Sequence, residues 1–223
     1  MYFCEKYRWK MTLSEEDYLK VIYHITRETG TEVSTNAIAN RIQTKASSVT
    51  DMLKKLSEKD LIHYKKYQGV KLTGEGKILA AKIVRKHRLW EVFLVEKLNF
   101  SWDEVHEVAE QLEHIKSGKL VAELDRFLGH PETDPHGDPI PDEHGNIRDL
   151  DKMILASCKK GEQGICIGVK DTSAQFLQYL DKVGIALGNT IQVIEKEPFD
   201  SSMKVRNNNA ELTVSANIYL KKK

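Results

Sequence analysis

The sequence predicts a mainly α chain with a small β domain at its C-terminal end. Three observations carry that expectation. Helical periodicity, a tight turn and a basic hairpin follow one another over residues 11–73, and long apolar helical stretches occupy 74–128. After a Pro/Gly-rich linker at 129–149, short alternating strands fill 150–223. The first set has the order of a winged helix-turn-helix, the second that of a helical dimerisation domain, and the third that of a small barrel.

In the first domain, Glu16 to Arg27 reads as a helix with Leu19, Ile22, Tyr23 and Ile25 apolar and Ser14 as its N-cap. After Gly30, residues Ser34 to Ile42 form a short helix led by capping residues. A break at Gln43–Ala46 precedes Ser47 to Leu56, where Val49, Met52, Leu53 and Leu56 recur at helical spacing. Leu61 to Tyr67, a turn at Gln68-Gly69 and Val70 to Thr73 then read as a β-hairpin. The first ten residues are aromatic and basic without clear periodicity, and Met11 is an alternative start.

The formal net charge of +1 conceals an uneven distribution. Residues 34–72 hold eight Lys/Arg against three acids, whereas residues 73–149 hold ten against sixteen. A basic segment beside an acidic one suits an anionic partner for the first and a cation for the second. Ser47, Ser48, Thr50 and Asp51 open the second helix of the helix-turn-helix, where short side chains let the backbone approach base edges. Lys45, Lys54, Lys55, Lys65, Lys66 and Lys71 supply phosphate contacts, the source of affinity and salt dependence. Double-stranded DNA is the expected partner, although a winged helix also serves as a protein-binding scaffold.

The second domain opens with a long helix from about Lys77 to Leu98, which carries His87 and Glu91 four residues apart on one face. Its apolar surface (Leu89, Val92, Phe93, Val95, Leu98) suits a homodimer interface, and a dimer presents two recognition helices to a palindromic operator. Further on, His106, Glu110, Glu113 and His114 share one stripe of a helix predicted over 106–114, within roughly a third of its circumference. Two imidazoles and two carboxylates without a thiolate suit a divalent transition metal. A solvated polar helix face accounts for the same pattern.

The linker holds four of the five prolines together with His130, His136 and His144, which read as turn and packing residues. Beyond it, 164–169, 190–195, 203–205, 211–214 and 216–220 read as strands and 176–183 as a short helix.

At 223 residues the chain divides into two or three modules. No apolar run approaches the roughly 18 residues of a membrane span, and no signal-peptide pattern opens the chain. Cys4, Cys158 and Cys166 form neither a disulfide framework nor a CxxC site, so a cytoplasmic setting is expected. No HExxH, nucleophile elbow or phosphate loop is present, which argues against an enzyme.

Five segments occur in a shared order: Glu16-Asp-Tyr-Leu-Lys-Val-Ile-Tyr23, Ser47-Ser-Val-Thr50, Leu72-Thr-Gly-Glu-Gly76, Arg85-Lys-His-Arg-Leu89 and Glu110-Gln-Leu-Glu-His114. With them the chain resembles, from about Met11 onward, the diphtheria-toxin-repressor and manganese-transport-regulator family of metal-dependent transcriptional repressors. The resemblance implies a homodimer with a winged helix, a helical dimerisation domain and a C-terminal SH3-like domain, binding palindromic operators when loaded with Mn2+ or Fe2+. It implies one metal site at Asp17, Glu110, Glu113 and His114 and a second at His87, Glu91 and His106. Iron-type members carry Met and Cys at the positions of Asp17 and Glu110, so the carboxylates here favour Mn2+, with Fe2+ as the alternative. Small manganese regulators have Glu where this chain has Lys20, and a protonated lysine cannot ligate. Two separate one-metal sites are therefore expected. Asp171 and Gln175 are implied as oxygen ligands lent by the barrel to the second site, although Asp171 serves equally as a helix cap. Metal held by both Asp17 and the 110–114 residues is expected to fix the DNA-binding domain against the dimerisation domain. The competing reading is a metal-independent winged-helix regulator answering a small molecule or a redox signal.

Overall fold

A computed structural model describes residues 11–222 apart from 67, 149, 200, 201 and 209. Cys4 and the aromatic-basic opening lie outside the described residues, as does Tyr67 in the hairpin. The chain forms two units, one comprising residues through Lys86 with Glu113–Lys116 and Pro141–Asn146, the other His87–Leu112, Ser117–Ile140 and Ile147–Lys223.

In the first unit, α1 (Leu13–Thr29) begins earlier than its apolar periodicity suggests. Thr12, not Ser14, is the N-cap: its hydroxyl accepts from the Glu15 amide at 3.3 Å, and the Glu15 carboxylate accepts from the Thr12 amide at 2.8 Å. This reciprocal pair satisfies two amides that the helix cannot bond itself. Gly30, with φ of 68°, closes α1 in the left-handed region. Ser34 caps α2 (Thr35–Ile42), and Gln43 turns the chain toward α3 (Ala46–Glu58). Strands β1 (Ile62–Lys65) and β2 (Gly69–Leu72) pair antiparallel from Ile62↔Leu72 to Lys65↔Gly69. Val33 makes an isolated antiparallel bridge to Val70, which brings a third segment beside the hairpin. Leu19, Ile22, Ile38, Val49, Leu53, Leu56, Leu61 and Val70 are wholly buried. Each contributes about 1.5–3 kcal/mol for a large apolar side chain removed from water. These elements are the expected winged helix-turn-helix.

A long helix, α4 (Gly74–Leu98), leaves the hairpin. Its first turn is fixed by Thr73, whose hydroxyl accepts from the Gly76 amide and donates to the Asp60 and Leu61 carbonyls. Gly76 must stay a glycine, because a Cβ there would lie 1.9 Å from the Leu61 carbonyl oxygen. Helix α5 spans Val105–Leu112. The predicted helix over 106–114 is thus too long, since Glu113 and His114 lie in a turn past its end. Helix α6 (Gly118–Phe127) follows, capped by Ser117.

The C-terminal part of the second unit is a six-stranded antiparallel sheet, the SH3-like domain, in the order β3-β8-β4-β5-β6-β7. Its strands are β3 (Met153–Ile154), β4 (Gln163–Val169), β5 (Thr190–Lys196), β6 (Met203–Asn207), β7 (Ala210–Val214) and β8 (Ile218–Lys222), with α7 (Ala174–Lys182) between β4 and β5. Along β6, Met203 and Val205 are buried while Lys204 and Arg206 face water, the alternation of a one-sided strand. Register shifts at Cys166/Gly168 and Val193/Glu195 bend the sheet around Leu177 and Leu180 of α7. Cys158 and Cys166 are buried in this core, and burial pushes the Cys166 thiol up to about 11.

Candidate metal centre

Two neighbouring α1 residues and a third four positions on face the Glu113–Lys116 turn. Asp17 sits at the rim with its side chain 45% exposed. Glu16 and Lys20, one helical turn apart and so on one face, are buried. The Lys20 ammonium donates to both Glu113 oxygens, at 2.7 and 2.9 Å, and Glu113 is 0% exposed. His114 Nδ1 lies 2.8 Å from the Glu16 carboxylate, and its Nε2 lies 3.2 Å from Asp17 Oδ1. Lys116 donates to the Met11 carbonyl at 2.7 Å, tying the turn to the start of α1. Burial pulls the Lys86 ammonium below its ordinary value, opposed by the charges of Glu16 and Glu113.

Ligand atoms of Asp17, Glu113 and His114 all lie within 4.8 Å of one another. The donor set of two carboxylates and one imidazole fits a borderline-hard dication such as Mn2+ or Fe2+. Lys20 adds a fixed positive charge where a second ion would need a ligand. Glu110, the fourth expected residue, lies on α5 in the second unit, with its carboxylate 3.6 Å from His106 Nε2.

The second expected group also assembles. His87 and Glu91 lie on one face of α4, with His87 Nε2 3.0 Å from Glu91 Oε1. His106 brings Nδ1 to 3.2 Å from His87 Nε2 and 3.5 Å from Glu91 Oε1. Glu91 is buried, whereas the His106 side chain is 60% exposed, so the group opens to solvent on one side. Burial alone would raise the Glu91 carboxyl, but the neighbouring imidazoles of His106, His136 and His87 outweigh it and hold it well below the usual carboxylate range.

Sequence reasoning missed His136 and Asp134 in this neighbourhood. His136 is buried, with Nδ1 3.8 Å from Glu91 Oε1 and Nε2 donating to the Trp102 carbonyl at 2.7 Å. Asp134 accepts from the His136 and Asp138 amides and pairs with Arg88 at 3.2 Å. Glu91, Asp134 and His136 form a further group with metal-ligand spacing. The loop is pinned to β4 by a Val169 amide bond to the His136 carbonyl, and Gly137 packs where a Cβ would meet the Ile167 oxygen at 1.9 Å. By contrast, His130 pairs with Asp125 and His144 lies beside Glu143, both at the surface.

Asp171 Oδ1 accepts from the Ser173 amide at 2.9 Å, a local turn ahead of α7, whose N-cap is Ser173, and Gln175 is exposed. Among the described residues, the groups around Glu91 do not include Asp171.

His136 has a pH consequence. Burial would lower its pKa, but Glu91 and Asp134 overcome this and raise it from 6.5 to about 9. A raised folded-state pKa contributes stability that is fully present below the unfolded value and is lost as pH rises through the folded one. With chelator present, the protein should lose up to roughly 3 kcal/mol between about pH 6.5 and 9, at about 1.4 kcal/mol per pH unit. Urea unfolding across that range checks this; His136→Gln should flatten the profile.

On α3, Ser47, Ser48, Asp51, Lys54 and Lys55 are exposed and fall at i, i+1, i+4, i+7 and i+8, which is one face of the helix. Lys54 is 3.1 Å from Asp51. The Thr50 hydroxyl donates to the Ala46 carbonyl at 3.0 Å. Lys45, Lys65, Lys66 and Lys71 are exposed at the head of α3 and on the hairpin.

Comparison with known proteins accounts for this combination. Residues 10–70 match the family model "Iron dependent repressor, N-terminal DNA binding domain", and residues 73–142 match "Iron dependent repressor, metal binding and dimerisation domain". Residues 153–219 match the FeoA domain. The chain is 32% identical over 126 residues to the iron-dependent repressor IdeR of Mycobacterium leprae, covering 56% of this chain and 54% of the relative. It thus spans about half the length of the iron-dependent relatives it matches. It is 30% identical over 146 residues to the HTH-type transcriptional regulator MntR of Oceanobacillus iheyensis, covering 66% of this chain and 92% of the relative. A solved manganese-dependent transcriptional repressor in complex with manganese superposes with a TM-score of 0.84 at 36% identity, covering 94% of this chain and all of that one. With both domain models matched in order and a relative covered nearly end to end, the chain belongs to the iron-dependent repressor family, which includes the diphtheria toxin repressor and MntR.

Proposed function

We propose that this chain is a metal-dependent DNA-binding transcriptional regulator, a repressor of metal-uptake genes that binds a palindromic operator as a homodimer in the cytoplasm. Mn2+ is the favoured ion and Fe2+ the alternative. The observation that carries this reading is the Asp17, Glu113 and His114 group, built partly on a helix of the DNA-binding fold. Its oxygen-rich donor set favours Mn2+ chemically, and the manganese-dependent repressor among the structural relatives supports the same ion. The matched ranges 10–70, 73–142 and 153–219 support domains that begin near 11, 74 and 150, with the second range running 14 residues into the proposed 129–149 linker.

A bound dication would supply the positive charge that lets Asp17 and Glu113 approach one another. Asp17 would hold it from α1, against which α2 and α3 pack, while Glu113 and His114 would hold it from the turn leaving α5. The three side chains thereby tie the helices that carry the DNA-facing residues to that turn. Ligation by residues that assemble only in the DNA-competent state shifts the population toward it. His87, Glu91 and His106 form the second proposed site. The exposed α3 face and lysines 45, 54, 55, 65, 66 and 71 meet the operator, with Ser47, Ser48, Thr50 and Asp51 at base edges. Regulation, not catalysis, is the role these parts support. No described helix is long and apolar enough to cross a membrane. Thiol sensing is disfavoured by the buried Cys158 and Cys166 and by the raised Cys166 pKa.

Fluorescence anisotropy on a labelled palindrome tests the reading, with one sample assayed as loaded, chelated and reloaded with Mn2+. Affinity should fall on chelation and return on reloading; chelated protein that binds as tightly as loaded protein overturns it. In the loaded state, Lys54→Ala and Lys55→Ala should each flatten the log affinity against log salt slope by about 1, as expected for loss of one phosphate contact.

A further inference from the structure

We infer that Glu16 is a positioning residue for the ion: its carboxylate fixes the His114 ring so that Nε2 is the atom presented beside Asp17. This rests on the reading that Asp17, Glu113 and His114 hold the metal.

The argument starts from where His114 sits. Helix α5 ends at Leu112, so the His114 backbone is not held by helical hydrogen bonds of the kind that orient His87 on α4. Orientation of the ring must come from what the side chain touches. Glu16 Oε2 lies 2.8 Å from Nδ1, and an ionised carboxylate only accepts, so Nδ1 carries the hydrogen. That leaves Nε2 as the atom facing Asp17, 3.2 Å from its Oδ1. A carboxylate and an unprotonated ring nitrogen at this distance need a cation between them, which a bound dication would supply.

Glu16 is itself well placed for the role. It is buried, and its amide bonds the Thr12 carbonyl at 3.1 Å within the capped first turn of α1. The Lys116 ammonium lies 4.0 Å from its other oxygen. A buried carboxylate is costly unless its charge is used. Here the charge holds the imidazole's hydrogen on Nδ1, as carboxylate partners of metal-bound histidines do. One turn along the same face, Lys20 holds Glu113 in the same way, so α1 supplies one ligand and orients the other two.

The test uses the full chain labelled with 15N at histidine, with the His114 ring signals assigned by their loss in His114→Gln. Without metal, the ring nitrogen shifts report the tautomer. In a His87→Ala, His106→Ala background, which removes two ligands of the second group, paramagnetic broadening of the same signals at buffered free Mn2+ reports occupancy of this group. In wild-type protein His114 should carry a hydrogen on Nδ1. Glu16→Ala should lose that preference and need about 10- to 100-fold more Mn2+ for the same broadening. Glu16→Gln, which retains an acceptor oxygen, should fall between. If Glu16→Ala and Glu16→Gln keep the wild-type tautomer and Mn2+ requirement while Asp17→Ala raises that requirement, the positioning role is overturned and the metal site stands. If Asp17→Ala also binds Mn2+ at His114 as wild type does, the metal-site reading fails with it.

Discussion

Asp17→Ala should abolish most of the Mn2+-dependent gain in operator affinity while leaving the chain folded and dimeric. Asp17 is the one member of its group on α1, and its side chain is about half exposed, so its loss removes a ligand without opening a cavity. Surface replacements of this kind usually change stability by less than about 0.5 kcal/mol. Coupling between effector and DNA sites is typically about 1–3 kcal/mol, or roughly 5- to 150-fold in affinity. Anisotropy titrations at fixed DNA and rising Mn2+ measure the ratio directly. An Asp17→Ala protein whose affinity still climbs with Mn2+ as wild type does would remove this site from the mechanism.

Lys20→Met should have the opposite character, with a large effect on the metal-free protein and a smaller one on the loaded protein. Lys20 donates two hydrogen bonds to Glu113, and both residues are buried. Removing one partner of a buried ion pair costs roughly 3–5 kcal/mol, because the remaining charge keeps its desolvation penalty. A dication at Glu113 restores a positive partner, so saturating Mn2+ should recover much of the loss. The lysine also repels an incoming dication, and its removal should raise intrinsic affinity for the ion. Thermal unfolding with chelator and with Mn2+ checks both points: the metal-induced rise in Tm should be larger in Lys20→Met than in wild type. An equal rise in the two proteins would mean that Lys20 and the ion do not share Glu113.

The parts legible in the sequence are those specified by local rules. The helix-turn-helix and hairpin emerge from apolar period, Ser34 at a helix start and Gly69 in a turn, because each element declares itself within a few residues. The start of α1 is not legible in the apolar stripe, because Thr12 and Glu15 cap each other ahead of it. The 106–114 stripe has the pattern of one helix because neither Glu113 nor His114 is a local stop signal. What turns them out of the helix is tertiary: their partners Lys20 and Glu16 lie 93 and 98 positions away. His136 was hidden for a related reason. Its Asp134 turn is local and looks sufficient, whereas its approach to Glu91 joins residues far apart in sequence. Glu113 and His114 stand out on the 106–114 stripe, but their grouping with Asp17 comes from the resemblance to a known family, since spacing alone does not bring residue 17 to 114.

The most direct test of the central claim is anomalous diffraction from crystals grown with Mn2+. The account predicts an ion bonded to Asp17, Glu113 and His114, with Lys20 still beside Glu113 and no second ion at that group. Manganese bound elsewhere on the chain with these three residues empty would contradict it.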